Sequence, residues 1–127
     1  MDSDTISKSR LTITIDMKKD RIRIHRKTLH AIGDPDYIHL LVNPDERTLA
    51  VLRSDRSDPK AYRLPKIQSG DNQAFEISSK PLVKNLLNMC SEWQADCVYR
   101  IYGETIPGEG VVAFNLASAQ RTCRTRR

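Results

Sequence analysis

Two short alternating runs separated by three residues restrict this chain more than any other feature. Residues 11–17 read Leu-Thr-Ile-Thr-Ile-Asp-Met, with Leu11, Ile13, Ile15 and Met17 in one phase and Thr12, Thr14 and Asp16 in the other. A period of two belongs to a strand with one buried and one solvated face. Lys18-Lys19-Asp20 can turn the chain, and Arg21-Ile22-Arg23-Ile24-His25 then alternates again. The pair predicts a β-hairpin with Ile22 and Ile24 inward. Its outer face holds Arg21, Arg23 and His25 beside Thr12, Thr14 and Asp16. Asp16 lies near Arg21 across the turn and could offset part of its charge.

The hairpin leads into Arg26-Lys-Thr-Leu-His-Ala-Ile-Gly33, where Leu29 and Ile32 share one face of a short helix. Gly33 supplies a left-handed stop, and Asp34-Pro35 prevents continuation. Residues 37–42 and 48–52 are apolar strands around the loop Asn43-Pro-Asp-Glu-Arg47, which predicts a second hairpin. Residues 53–72 are poor in large apolar groups and read as a connector, with a short extended piece at 61–64. Residues 74–77 form a strand. Ser79 caps a helix with Pro81 in its first turn. Leu82, Val83, Leu86, Leu87, Cys90 and Trp93 fall on one stripe, which predicts an amphipathic helix over 80–93. Strands at 97–102 and 111–116 flank a loop containing Pro107-Gly108.

The order strand, helix, strand, loop, strand thus occurs twice, at 21–53 and 74–116. At an offset of 53, Ile22 matches Phe75 and Ile24 matches Ile77; at an offset of 63, Leu49 matches Val112 and Val51 matches Phe114. These patterns predict an α+β fold. Two strand–helix–hairpin units, a pseudo-repeat, pack into one core with an N-terminal β-hairpin. Residues 1–10 form a flexible N-terminus and 11–120 a single domain. Within it, unit one is 11–53, the connector 54–72 and unit two 73–116. Residues 121–127, with nothing to bury, read as a disordered basic tail.

Charge narrows the function. The 127 residues carry a net charge of +5, and its distribution is uneven. Residues 1–33 hold eight basic and four acidic groups, and residues 121–127 hold four arginines and no acid. The stretch between is mildly acidic. Clustered basic charge suits a polyanion, because phosphate contacts release condensed counterions. The competing reading is a solubilising surface. No apolar run approaches the roughly 20 residues needed to span a bilayer, so no membrane association is expected. The polar, acidic start Met1-Asp-Ser-Asp4 shows no secretory leader. Three cysteines, Cys90, Cys97 and Cys123, lack metal spacing and suggest reduced thiols in a cytoplasmic protein.

Catalytic and metal motifs are absent from the sequence. There is no Gly-rich phosphate loop and no nucleophile elbow. His25, His30 and His39 are too dispersed for a zinc pattern, and no CxxC occurs. Cys90 and Trp93 sit on the apolar stripe and read as core. No enzyme activity, cofactor or metal is expected.

The stretch from Thr14 to Leu29, Thr-Ile-Asp-Met-Lys-Lys-Asp-Arg-Ile-Arg-Ile-His-Arg-Lys-Thr-Leu, followed by Ile32-Gly33, resembles the swapped-hairpin DNA-binding family of AbrB- and MraZ-like transcription regulators. The resemblance covers residues 12–53. That family usually has Gly before the arginine and Pro after the second strand; here Asp20 and His25 stand there. The tandem arrangement is also similar to the repeat unit of sliding DNA clamps, in the pattern Phe75-Glu-Ile-Ser-Ser-Lys-Pro-Leu-Val-Lys84. Both resemblances imply DNA association without catalysis. The expected function is a small DNA-binding transcription regulator or accessory DNA factor. The alternative is a protein-interaction module whose apolar strands build a homo-oligomer. The expected DNA contacts are Lys18, Lys19, Arg21, Arg23, Arg26 and Lys27.

Overall fold

A computed structural model of the chain describes residues 11–65, 74–106 and 108–122. The first hairpin forms as the alternation requires. Strand β1 (Leu11–Asp16) pairs antiparallel with β2 (Arg21–Ile24), setting Ile13 opposite Ile24 and Asp16 opposite Arg21. Asp20 takes a positive φ of 53° in the turn. Helix α1 (Arg26–Ala31) follows. Gly33, at φ 88°, ends it, and a Cβ there would meet the Arg53 guanidinium at 2.5 Å. β3 (Tyr37–Asn43) and β4 (Thr48–Ser54) make the second hairpin. The two residues of β5 (Tyr62–Arg63) lie on β3, within the extended piece expected at 61–64. β6 (Phe75–Ser78) precedes α2 (Lys80–Met89), whose N-cap Ser79 accepts the Leu82 N–H at 3.3 Å. β7 (Val98–Ile106) and β8 (Val111–Asn115) pair next, and a short 3-10 turn (Leu116–Ser118) leads to β9 (Gln120–Arg121).

The expected α+β architecture of two strand–helix–hairpin units is not what these elements build. The molecule is mostly antiparallel strand, curled into a half-barrel sheet, with two short α-helices among the described residues. The sheet order is β5-β3-β4-β8-β7-β1-β2-β6, with β9 on β7. Each expected hairpin pairs internally, but the halves of the chain interleave. β1 sits between β2 and β7, and β8 sits between β7 and β4. Alternation dictates which residues face inward; it is silent on which strands become neighbours.

The inward set forms one continuous core. Ile13, Ile15, Ile22, Ile24, Ile38, Leu49, Val51, Ile101, Val112 and Phe114 have no exposed surface, and Leu29, Val83 and Leu86 of the two helices join them. Helix α2 stops at Met89, short of the expected 93. Cys90 and Trp93 are nevertheless buried, and the Trp93 ring stacks on Tyr99 with centroids 4.4 Å apart. Gly103 lies beneath Phe114, where a Cβ would come within 2.5 Å of the ring. The chain end also differs from the expected disordered tail, because Arg121 is a strand residue; 123–127, with 1–10, lie outside the described residues.

One buried polar residue fixes α1 to the sheet. Thr28 is fully buried; its Oγ1 accepts the Thr12 N–H at 3.1 Å and donates to the Thr12 carbonyl at 3.2 Å. Thr28→Val keeps the shape but removes the hydroxyl that accepts the Thr12 N–H. It should cost about 1–3 kcal/mol, read as a lowered urea midpoint at unchanged slope. A midpoint at the wild-type value would show that the bond contributes nothing net.

Candidate nucleic-acid interface

The same alternation that buries Ile13, Ile22 and Ile101 turns their neighbours outward. Across four strand pairings the register sets Glu76, Arg23, Thr14, Arg100 and Gln120 in one row. The adjacent row runs Ser78, Arg21, Asp16 and Val98. The outer face of β2, β1 and β7 therefore presents Arg21, Arg23 and Arg100 together. Lys18 and Lys19 project from the turn at one end, and both are exposed.

Two carboxylates lie among these cations, in different roles. Glu76 is paired with both strand arginines. Arg23 donates to Glu76 Oε2 from Nε at 2.9 Å and from Nη2 at 2.5 Å, and Arg21 Nη1 lies 3.6 Å from Oε1. These side chains are one third to one half exposed, so the pairs orient the arginines more than they stabilise the fold. Asp16 was expected to offset Arg21. Its Oδ1 instead accepts the backbone N–H groups of Lys18 and Lys19, both at 3.1 Å, which shapes the turn.

His25 follows Arg23 on the same face and shares a 3.1 Å hydrogen bond between Nε2 and Thr14 Oγ1. Burial, then the nearby Arg23 and Arg100 charges, hold its pKa below the ordinary 6.5. The imidazole is therefore neutral at pH 7, and the positive charge of this face belongs to arginine and lysine.

The sequence-derived contacts divide into two groups. Lys18, Lys19, Arg21 and Arg23 share the outer face or its turn. Arg26 and Lys27 stand on α1, with Lys27 exposed and Arg26 Nε buried without a hydrogen bond. Arg100 and Glu76 were missed. Both lie in the outward phase of short alternating runs, Tyr99-Arg100-Ile101 and Phe75-Glu76-Ile77, so the signal for orientation existed. The adjacency of those strands to the hairpin did not.

Elsewhere, Asp58 accepts Ser54 Oγ at 2.7 Å and lies 2.9 Å from His39 Nδ1. Ser54 Oγ thus bonds the carboxylate and not the imidazole, an arrangement that ties the 55–61 loop to β3 and β4. The Ser54 and Lys60 hydrogen bonds hold Asp58 below the usual carboxylate range. Among the described residues no three His, Cys, Asp or Glu side chains gather as a metal site. No helix among them is long and apolar enough to cross a membrane. Comparisons with protein-family models, curated proteins and solved structures give no match.

Glu76→Gln should remove the carboxylate that pairs with Arg21 and Arg23 while keeping its hydrogen-bonding shape. Duplex DNA should then bind several-fold more tightly at about 100 mM salt, where charges within roughly 10 Å still interact. Unchanged or weaker binding in a fluorescence titration would count against this face as the contact surface.

Proposed function

We propose that the protein is a small non-enzymatic DNA-binding protein, a transcription regulator or accessory DNA factor, that lays the outer face of β2, β1 and β7 against the phosphate backbone. The observation behind this reading is the convergence of Arg21, Arg23 and Arg100 on one sheet face next to the Lys18-Lys19 turn. The likeness of residues 12–53 to AbrB- and MraZ-like regulators points the same way. The test is retention on duplex DNA as a function of salt. Each phosphate-contacting cation should contribute about 0.9 to the log–log slope, so Arg100→Ala should reduce the slope by about that amount. No retention near about 50 mM salt by correctly folded protein would overturn the proposal.

A second reading rests on a separate feature. On the outer face of the other half of the sheet, Leu41 is 53% exposed and Ile106 44%. Ala50 and Ala113 continue the row from Leu41, and Leu52 and Val111 lead to Ile106. Exposed apolar strips favour association, here as a homo-oligomer. The mass in solution tests it independently of DNA. A monomer at tens of micromolar would remove this reading.

A further inference from the structure

A cleft of about 540 Å³ opens beside β5 and β3, at the opposite end of the strand order from β2 and β6. It is lined by Asp36, Tyr37, Arg56, Arg63, Leu64 and Pro65. None of these belongs to the basic face described above. Small-molecule sites occupy roughly 300–1,000 Å³, so the space suits a ligand of that size.

Local hydrogen bonds place the lining residues. The β5–β3 register sets Arg63 opposite Tyr37, and the Leu64 N–H donates to the Asp36 carbonyl at 2.8 Å. Residues opposite one another in a sheet share a face, so the Arg63 side chain and the Tyr37 ring leave it together. The loop that carries Arg56 is fixed from within. Asp55 Oδ1 accepts the Ser57 N–H at 2.9 Å, and the Asp58 N–H donates to the Asp55 carbonyl at 3.1 Å. The Asp58 carboxylate fastens the loop to Ser54 of β4 and His39 of β3. Walls held in this way need little ordering when a ligand enters.

The lining combines three kinds of chemistry. Arg56 and Arg63 are exposed, and neither guanidinium has an ion pair or a side-chain hydrogen bond among the described residues. Asp55, the carboxylate beside Arg56 in sequence, is engaged by Ser57 instead. A guanidinium meets phosphate oxygens through paired N–H donors. Tyr37 is half-buried and offers an aromatic ring, while Leu64, which is buried, and Pro65 add apolar surface. The exposed Asp36 carboxylate accepts hydrogen bonds and has no donor to give. Inorganic phosphate would use neither the ring nor this acceptor, and a fatty acid has no donor for Asp36. A nucleoside phosphate uses all three.

We propose that the cleft binds a nucleoside monophosphate. Arg56 and Arg63 hold the phosphate, the base lies against Tyr37, and Asp36 accepts an amino or hydroxyl hydrogen. Stacking on an aromatic ring is open to every base, so the assignment reaches the nucleotide class and not one base. The site is separate from the DNA-binding reading and does not depend on it.

The test is a titration of the full chain with AMP or GMP, followed by backbone amide chemical shifts. Saturable shifts are expected at 36–37, 56 and 63–64. Replacing Arg56 and Arg63 together by Ala should weaken binding by about tenfold or more, since two charge-assisted contacts are lost. Both side chains are exposed, so the core amides of that variant should keep their wild-type shifts. Adenosine and inorganic phosphate should each bind the wild-type chain more weakly than AMP, again by about tenfold or more. Replacing Arg21 and Arg23 should leave AMP binding unchanged, whatever it does to DNA binding. Four results would each overturn the proposal: no saturable shift at these residues with either nucleotide, shifts confined to the β2–β1–β7 face, phosphate bound as tightly as AMP, or undiminished binding by the folded Arg56 and Arg63 double variant.

Discussion

Phe114→Ala should lower stability by about 3–5 kcal/mol and melt the entire sheet in one transition. Phe114 is fully buried on β8, opposite Leu49 of β4 and Gly103 of β7. Its ring occupies the space over Gly103 that any side chain would fill. Removing it leaves a cavity that the rigid, paired strands on both sides cannot close. The loss reaches the whole molecule because β8 joins β4 of the first half of the chain to β7 of the second. For a chain of this size the melting temperature should fall by about 10 °C or more. Lys84→Ala, on the exposed side of α2, should stay within about 0.5 kcal/mol of wild type. Two separate transitions in calorimetry of the wild-type chain would contradict the single cooperative core.

Replacing Arg21 and Arg23 together by Ala should flatten the salt dependence of DNA binding by about 2 on the log–log scale. Folding should remain intact, because the arginine side chains are 35% and 49% exposed and their partner Glu76 is 38% exposed. An exposed ion pair of this kind contributes on the order of 1 kcal/mol or less. The competing account is that Glu76 neutralises the two arginines and the face is only solvated. It requires either no DNA retention even at about 50 mM salt, or retention that the double substitution leaves unaffected. The opposite signs expected for Glu76→Gln and for the arginine pair make the two accounts separable on one instrument.

Local features were legible in the sequence, and long-range neighbours were not. The β1–β2 hairpin, the inward phase of Ile13, Ile22 and Ile24, the Gly33 stop and the Ser79 cap follow from periodicity and backbone chemistry. The burial of Cys90 and Trp93 followed from the stripe even though the helix ends before them. The sheet order was beyond reach, because inward apolar residues are interchangeable as partners. Ile24, for instance, faces both Ile13 and Phe75. The candidate face inherits this limit. Arg21 and Arg23 were found on a strand already recognised as half of a hairpin. Arg100 and Glu76 became visible only once β7 and β6 were known to flank that hairpin.

The interleaved order has a consequence for synthesis on the ribosome. Thr14 must pair with Arg100, so β1 waits for β7 before its second edge is covered. An isolated two-stranded hairpin is marginal in water. The nascent chain therefore has no stable resting state until β7 has emerged. Folding should be slow for its length, as non-local pairing dictates. A message truncated before codon 98 would yield a fragment with an open strand edge and unburied isoleucines, a substrate for proteases or aggregation and not a shorter working protein.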